Sequence, residues 1–258
     1  MSYQRIQVAR EGGIETITLS YAERRNAIGP VMVNELLYAL EAARTASDVR
    51  VIVLTGEGRA FCAGGDFAQM TSGEDGAALP PKGDYADLLV ALANSDKPVI
   101  ARVNGPAMGG GLGLVASCTF AIASNDATLG TPEINVGLFP MMVMAVLQRV
   151  VPRRKLVHMM LLGDKLTAEE ALDHGLVGQV TSPDALDAAV AALAQRLGEK
   201  SPMALTMGLR AMAAQDDLDL ETALPLLRTK LGEILATNDA REGLMAFLEK
   251  RKPNWTGN

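Results

Sequence analysis

The feature that most constrains this chain is an uncharged run of 23 residues, 103–125, which holds Gly105, Pro106, Gly109, Gly110, Gly111 and Gly113. Its length alone would cross a bilayer. The glycines and proline, with Asn104, Ser117, Thr119 and Ser124, would break or wet a lipid-facing helix, so the run reads as the buried centre of a globular core. A chain of 258 residues removes roughly 70–75% of its unfolded surface from water, enough for one large domain without staples. Cys62 and Cys118 therefore need not form a disulfide framework. With only His158 and His174, and no closely spaced cysteine pair, no zinc site is expected. Twenty-four basic against 30 acidic residues leave a net charge of −6. That balance gives no sequence-blind attraction to phosphate backbones or anionic lipid, so neither nucleic acid nor a membrane is an expected partner. The first 13 residues are charged and lack an apolar h-region, which makes a secretory signal unexpected and a cytoplasmic location the expectation.

Periodicity supplies the fold class. Residues 14–19, Ile-Glu-Thr-Ile-Thr-Leu, alternate as a half-buried strand does, hairpinned with residues 6–9 across Glu11-Gly12-Gly13. Apolar positions 32, 33, 36, 37 and 40 recur at helical spacing within residues 31–46. Two β-branched runs, 49–54 and 98–103, end at Gly56 and Asn104-Gly105 as buried strands end. Strand, helix and strand in succession predict an α/β layered core over residues 1–200. Beyond about residue 140 the strand signal fades. Thr167-x-x-Glu170 reads as a capping box before a short helix stopped by Gly175, and Asp239-x-x-Glu242 as another. Pro225 is expected to kink or split a helix over residues 218–236. A helical region over 201–258 follows, and residues 71–84, rich in Gly, Pro and Asp, are the candidate mobile loop.

Glycines after strands mark places where backbone must approach something closely. Residues 56–66 lack the Gly-Lys-Ser/Thr ending of a Walker A loop, and Phe61 stands where a dinucleotide fingerprint needs glycine. Read from Gly111, Gly-Leu-Gly-Leu-Val-Ala fits the Rossmann pattern, with Glu133 at an apt distance. The context does not fit: four residues separate the preceding strand from the glycines, and Glu133 follows Thr131-Pro132 rather than a second apolar strand. A glycine-rich helix start can instead aim orphan N–H groups at negative charge, and a second donor from Ala63-Gly64-Gly65 would complete a hole for an enolate or tetrahedral oxyanion. Tight packing of helix on sheet explains the same glycines equally well.

Three ordered motifs carry a family resemblance. Arg59-Ala60-Phe61-Cys62-Ala63-Gly64-Gly65-Asp66, Asn104-Gly105-Pro106-Ala107-Met108-Gly109-Gly110-Gly111 and Thr131-Pro132-Glu133-Ile134-Asn135-Val136-Gly137-Leu138-Phe139-Pro140 resemble the signatures of the enoyl-CoA hydratase/isomerase, or crotonase, family. The likeness runs from Tyr21-Ala22-Glu23-Arg24-Arg25-Asn26-Ala27 to Phe247-Leu248-Glu249-Lys250-Arg251-Lys252-Pro253. It implies an α/β spiral of repeated ββα units with a helical C-terminal trimerisation part, assembled as trimers or dimers of trimers. It implies an acyl-CoA thioester substrate and no metal or redox cofactor, coenzyme A being carried by the substrate. By position, the N–H groups of Gly65 and Gly110 match the oxyanion hole. Ala63, Asp66 and Phe67 match the turn around the CoA adenine, and Arg24 and Arg25 the corner that follows its pantetheine and phosphates. Phe247 and Lys250 match positions that reach the CoA of a neighbouring subunit.

Glu133 matches the base over the acyl carbons, and its apolar neighbours Ile134, Val136, Leu138 and Phe139 would raise its pKa toward usefulness. Hydratases of the family carry two glutamates; the first falls here on Gly113. One remaining carboxylate suffices to move a proton along an allylic system, so the resemblance points to Δ3-Δ2-enoyl-CoA isomerisation. Hydration by Glu133, alone or with an unrecognised side chain, is the alternative, and acyl-CoA binding without catalysis is a third reading. Met141 stands where dehalogenase-like and phenylacetyl-type relatives look to need aspartate. Cys62 has no histidine near it and reads as packing. His158 reads as helix packing, His174 as a helix C-terminal residue, and Trp255 as a surface or interface contact. Met141, Met142 and Met144 read either as an adaptable acyl pocket or as core.

Overall fold

The computed structural model describes residues 2–66, 69 and 78–258. Phe67 and residues 71–77 of the candidate loop lie outside the described residues. Strands β1 (Ile6–Glu11) and β2 (Ile14–Leu19) pair antiparallel, Ile6 opposite Leu19 and Glu11 opposite Ile14. Gly12 and Gly13 turn the chain with φ of 57° and 81°, a two-residue hairpin that only left-handed backbone allows. β2 then pairs parallel with β3 (Val51–Gly56), and β4 (Val99–Val103), β6 (Phe120–Ser124) and β9 (Gln179–Thr181) extend the sheet in the order β1-β2-β3-β4-β6-β9. The three-residue β9, and β8 (Lys165–Thr167) in a second sheet with β5 (Ala107–Met108) and β7 (Thr128–Gly130), are too short to leave a periodic signal.

Both faces of the main sheet are covered, which is why β3 reads as a continuous apolar run. Ile52 and Leu54 face a core shared with α1 (Pro30–Thr45), α2 (Tyr85–Ala93) and α3 (Gly110–Ser117). Val51 and Val53, with Ile100 and Ile122, face Leu186, Val190 and Ala194 of α7 (Pro183–Gly198). The uncharged run thus supplies the end of β4, β5, α3 and β6, and Leu112, Leu114, Ala107 and Ala123 are fully enclosed. Among the described residues no helix is long and apolar enough to cross a membrane.

Between these lie α4 (Met141–Leu147), α5 (Arg153–Leu162) and α6 (Ala168–Asp173). Thr167 and Glu170 form the expected capping box, with Thr167 Oγ1 accepting from Glu170 N and Glu170 Oε2 from Thr167 N, and Gly175 follows the His174 cap at φ 77°. Three helices end the chain: α8 (Pro202–Gln215), α9 (Leu220–Leu235) and α10 (Asn238–Leu248). α9 is one helix with Pro225 in its second turn, where proline forgoes a single ladder bond, so the expected split does not occur.

Asp239 corrects a second reading. Thr237 caps α10, its hydroxyl accepting from Ala240 N, while Asp239, the second residue of the helix, is buried. Its carboxylate accepts from Ser201 Oγ at 2.7 Å, Thr256 N at 2.8 Å and Gly257 N at 3.0 Å. An acidic residue near a helix start has the sequence pattern of a cap; here it clasps two distant segments instead.

Candidate functional site

Three segments meet at the first turn of α3. Cys62 pairs with Ala107 in a parallel bridge, and Met108 N donates to Cys62 O at 2.9 Å, so residues 62–65 run alongside β5. Gly65 pairs in turn with Ile28, and the Ile28 Cγ2 lies 3.2 Å from where a Cβ on Gly110 would sit. Gly65 and Gly110, far apart in sequence, thus flank one isoleucine. The approach requires glycine at two places. A Cβ on Gly111 would lie 2.5 Å from the Cys62 carbonyl oxygen. One on Gly109, whose φ is 49°, would lie 2.6 Å from Glu133 Oε1.

The amides of Gly65 and Gly110 donate to no group among the described residues. Gly110 is the first residue of α3, where an N–H has no partner within the helix and the dipole favours negative charge. Gly109 N, by contrast, donates to Gly130 O at 2.9 Å, which fixes the turn against β7.

Glu133 reaches this turn from a short 3₁₀ segment, Pro132–Val136, that follows β7. Its Oε2 is buried with no hydrogen-bond partner among the described residues. Burial raises its pKa above the ordinary carboxylate range, only partly offset by a backbone hydrogen bond. A carboxylate with an idle lone pair, beside two idle amides, can exchange a proton with a carbon acid whose oxygen the amides hold.

Tyr85, at the start of α2, is the residue that sequence reasoning passed over. Asp84 caps that helix reciprocally with Asp87 and so sets the ring's position. The Tyr85 hydroxyl donates to the Gly110 carbonyl oxygen at 2.5 Å. The Tyr85 hydroxyl oxygen lies only 2.2 Å from where a Cβ on Gly113 would be. Burial raises the phenol's pKa, and the nearby Glu133 carboxylate pushes the same way, so the group stays protonated. The volume above Gly113 therefore belongs to a phenol. Nothing local to residue 85 marks it; the signal was the missing side chain at 113.

The corner carrying Arg24 and Arg25 is drawn to the same place. Arg25 and Asn26 are left-handed, with φ of 51° and 56°. Buried Asn26 donates to Glu57 O and Ala60 O, both at 2.9 Å, and to Phe61 O at 3.2 Å, while accepting from Tyr21 N. Ala63 N donates to Arg25 O and Asp66 N to Ile28 O, each at 2.9 Å. Arg24, Arg25 and Ala63 are exposed beside buried Asp66. The loop's described end is also anchored: Asn34 of α1 donates to Leu79 O and Pro80 O and accepts from Lys82 N. Phe247 and Lys250 lie at the exposed end of α10, which packs on α8 and α9.

Other readings change. His158 is exposed, its Nδ1 3.5 Å from an Asp164 oxygen, and is not packed inside. Met141, Met142 and Met144 are exposed rather than core; Val143 alone of that turn faces Gly113, at 3.3 Å from its Cβ position. Cys62 is wholly buried and its thiol is pushed up to about 12 by that burial, which removes it as a nucleophile. Trp255 Nε1 donates to Glu199 O at 2.8 Å.

Residues 9–258 match the family model described as enoyl-CoA hydratase/isomerase. A mouse protein, enoyl-CoA hydratase domain-containing protein 3, mitochondrial, is 34% identical over 249 residues, covering 96% of this chain and 83% of that one. A probable enoyl-CoA hydratase of Bacillus subtilis is 37% identical over 238 residues, covering 90% and 91%. Among solved structures, an enoyl-CoA hydratase of Mycobacterium smegmatis superposes with a TM-score of 0.90 at 33% identity, over 98% and 99% of the two chains. The spiral α/β architecture that the motifs implied is the one these structures share.

Proposed function

This chain belongs to the enoyl-CoA hydratase/isomerase family, and on that premise we propose that it moves the double bond of an enoyl-CoA thioester from the 3 to the 2 position. The observation that carries this reading is the buried Oε2 of Glu133, without a hydrogen-bond partner among the described residues, near the Gly65 and Gly110 amides, which donate to no group there. Glu133 removes a proton from the carbon next to the thioester. The electron pair passes into the carbonyl, whose oxygen the Gly65 and Gly110 N–H groups hold. The protonated carboxyl then returns the hydrogen at the far end of the allylic system. Each such amide typically contributes about 3–4 kcal/mol to the transition state. The exposed guanidinium groups of Arg24 and Arg25 suit the CoA phosphates, with Ala63 and Asp66 at the adenine and Phe247 and Lys250 offered to a neighbouring subunit. Leu220, Leu224, Leu231, Leu235 and Leu244, exposed on α9 and α10, support assembly as a trimer or dimer of trimers.

Incubation with 3-enoyl-CoA, comparing the native protein with Glu133→Gln, tests the proposal. Native turnover and its loss by about 10²–10⁴-fold in the variant are expected. Undiminished turnover in the variant removes Glu133 from the mechanism, and tight CoA binding without any turnover assigns the chain a binding role. Hydration of 2-enoyl-CoA is the second reading. It is favoured by the hydroxyl found where Gly113 offers nothing, and it accords with the hydratase names of the relatives.

A further inference from the structure

Gly113 leaves the glycine turn without a second acidic group, yet the space is not left apolar. The Tyr85 hydroxyl lies over the Gly113 Cα, against the first turn of α3, with Glu133 over the neighbouring Gly109. A phenol carries one hydrogen and two acceptor sites. Its hydrogen is committed to the Gly110 carbonyl at 2.5 Å, so what it offers the cleft is a lone pair. Its burial keeps it protonated at neutral pH, which makes it a hydrogen-bond acceptor and not a base. Polar groups thus stand on two sides of the amide of Gly110: one that titrates and one that only orients.

We propose that Tyr85 is a catalytic residue of this site, its hydroxyl accepting a hydrogen bond from the water that adds to a 2-enoyl-CoA, so that one carboxylate suffices for hydration. The inference rests on the second reading above, hydration of a 2-enoyl-CoA, with Glu133 as the base. In the forward step the water oxygen bonds to the β carbon while one of its protons passes to Glu133. The π pair moves toward the thioester, and the enolate oxygen is held by the Gly65 and Gly110 amides. Glu133 then returns that proton to the α carbon. The sum is thioester plus water, with no oxidant or reductant. Tyr85 holds the second water hydrogen and keeps its own throughout.

The test uses but-2-enoyl-CoA and dec-2-enoyl-CoA in ¹⁸O water, and saturated butanoyl-CoA in deuterium oxide, with the native protein, Tyr85→Phe and Glu133→Gln. Exchange of the α hydrogen of butanoyl-CoA reads Glu133 and the amides alone; ¹⁸O arriving on the β carbon reads water addition. Native protein is expected to do both. Tyr85→Phe, which keeps the ring, is expected to lose about 10²-fold of ¹⁸O incorporation in kcat, with KM and α exchange changed less than about threefold. Glu133→Gln is expected to lose both. Native α exchange without ¹⁸O incorporation overturns the role of Tyr85 and leaves the base assignment standing, as does a Tyr85→Phe protein that hydrates normally. Parallel loss of both reactions in Tyr85→Phe makes the tyrosine structural and overturns the proposal. Gly113→Ala, whose Cβ displaces the hydroxyl while the phenol remains in the chain, is expected to reproduce the selective loss. Exchange that survives Glu133→Gln instead overturns the base assignment.

Discussion

Glu133 shows how one buried oxygen couples activity to stability. As the proposed base Glu133 must be ionised, and burial raises its pKa from the ordinary 4.5, so kcat/KM should rise with pH through an inflection above that value and fall on the acid side. A pH-rate profile checks it; an acid limb at or below 4.5 contradicts the burial argument. Stability runs the opposite way. With the folded pKa above the unfolded one, the native state binds more protons in that interval, and stability declines as pH rises through it. Glu133→Gln removes that decline, so its thermal midpoint should match the native protein below the ordinary 4.5 and exceed it at neutral pH. Cys62, enclosed and with its thiol at about 12, should resist alkylation by iodoacetamide until the protein unfolds.

At the scale of elements, the site is a contact between a loop and a helix start, and two side-chain-free or polar positions maintain it. A methyl at Gly111 meets backbone, the Cys62 carbonyl at 2.5 Å, and neither partner can step aside. Gly111→Ala should therefore cost about 1–3 kcal/mol in urea titration and lower activity by shifting the oxyanion amides. Asn26 ties the arginine corner to residues 57–61, its two amide hydrogens shared among three carbonyls, and Asn26→Ala leaves those carbonyls without that donor, for a loss of about 2–3 kcal/mol. These elements differ in how plainly the sequence announces them. The hairpin, α1, β3 and the Thr167 box were legible because alternation, helical spacing and capping chemistry are local. β8 and β9 were not, since three residues hold no period, and Asp239 misled because a clasp to residues 201 and 256 looks locally like a cap. Glu133 and the two site glycines were legible through ordered motifs. Tyr85 was not, because its partner Gly110 is 25 residues away and its position is fixed only when α2 packs on α3.

Across the whole molecule, Asp239 joins the last residues to the junction before α8. Its burial alone would raise its pKa, but the hydrogen bonds from Ser201, Thr256 and Gly257 outweigh that and hold it below the ordinary 3.8. A depressed folded pKa contributes stability that is present above 3.8 and is lost as pH falls through the folded value. Asp239→Ala leaves those donors unpaired and should cost about 2–3 kcal/mol at neutral pH, read as a lower thermal midpoint with loss of the C-terminal helices' hydrogen-exchange protection. The tyrosine hydroxyl over Gly113 has a consequence of another kind. Installing an acid at 113 collides with the phenol, and trimming the phenol alone leaves the turn with no second polar group, so each single step descends. A directed-evolution library that varies one position at a time will stall there, and only variants changing 85 and 113 together can carry a second carboxylate at that turn.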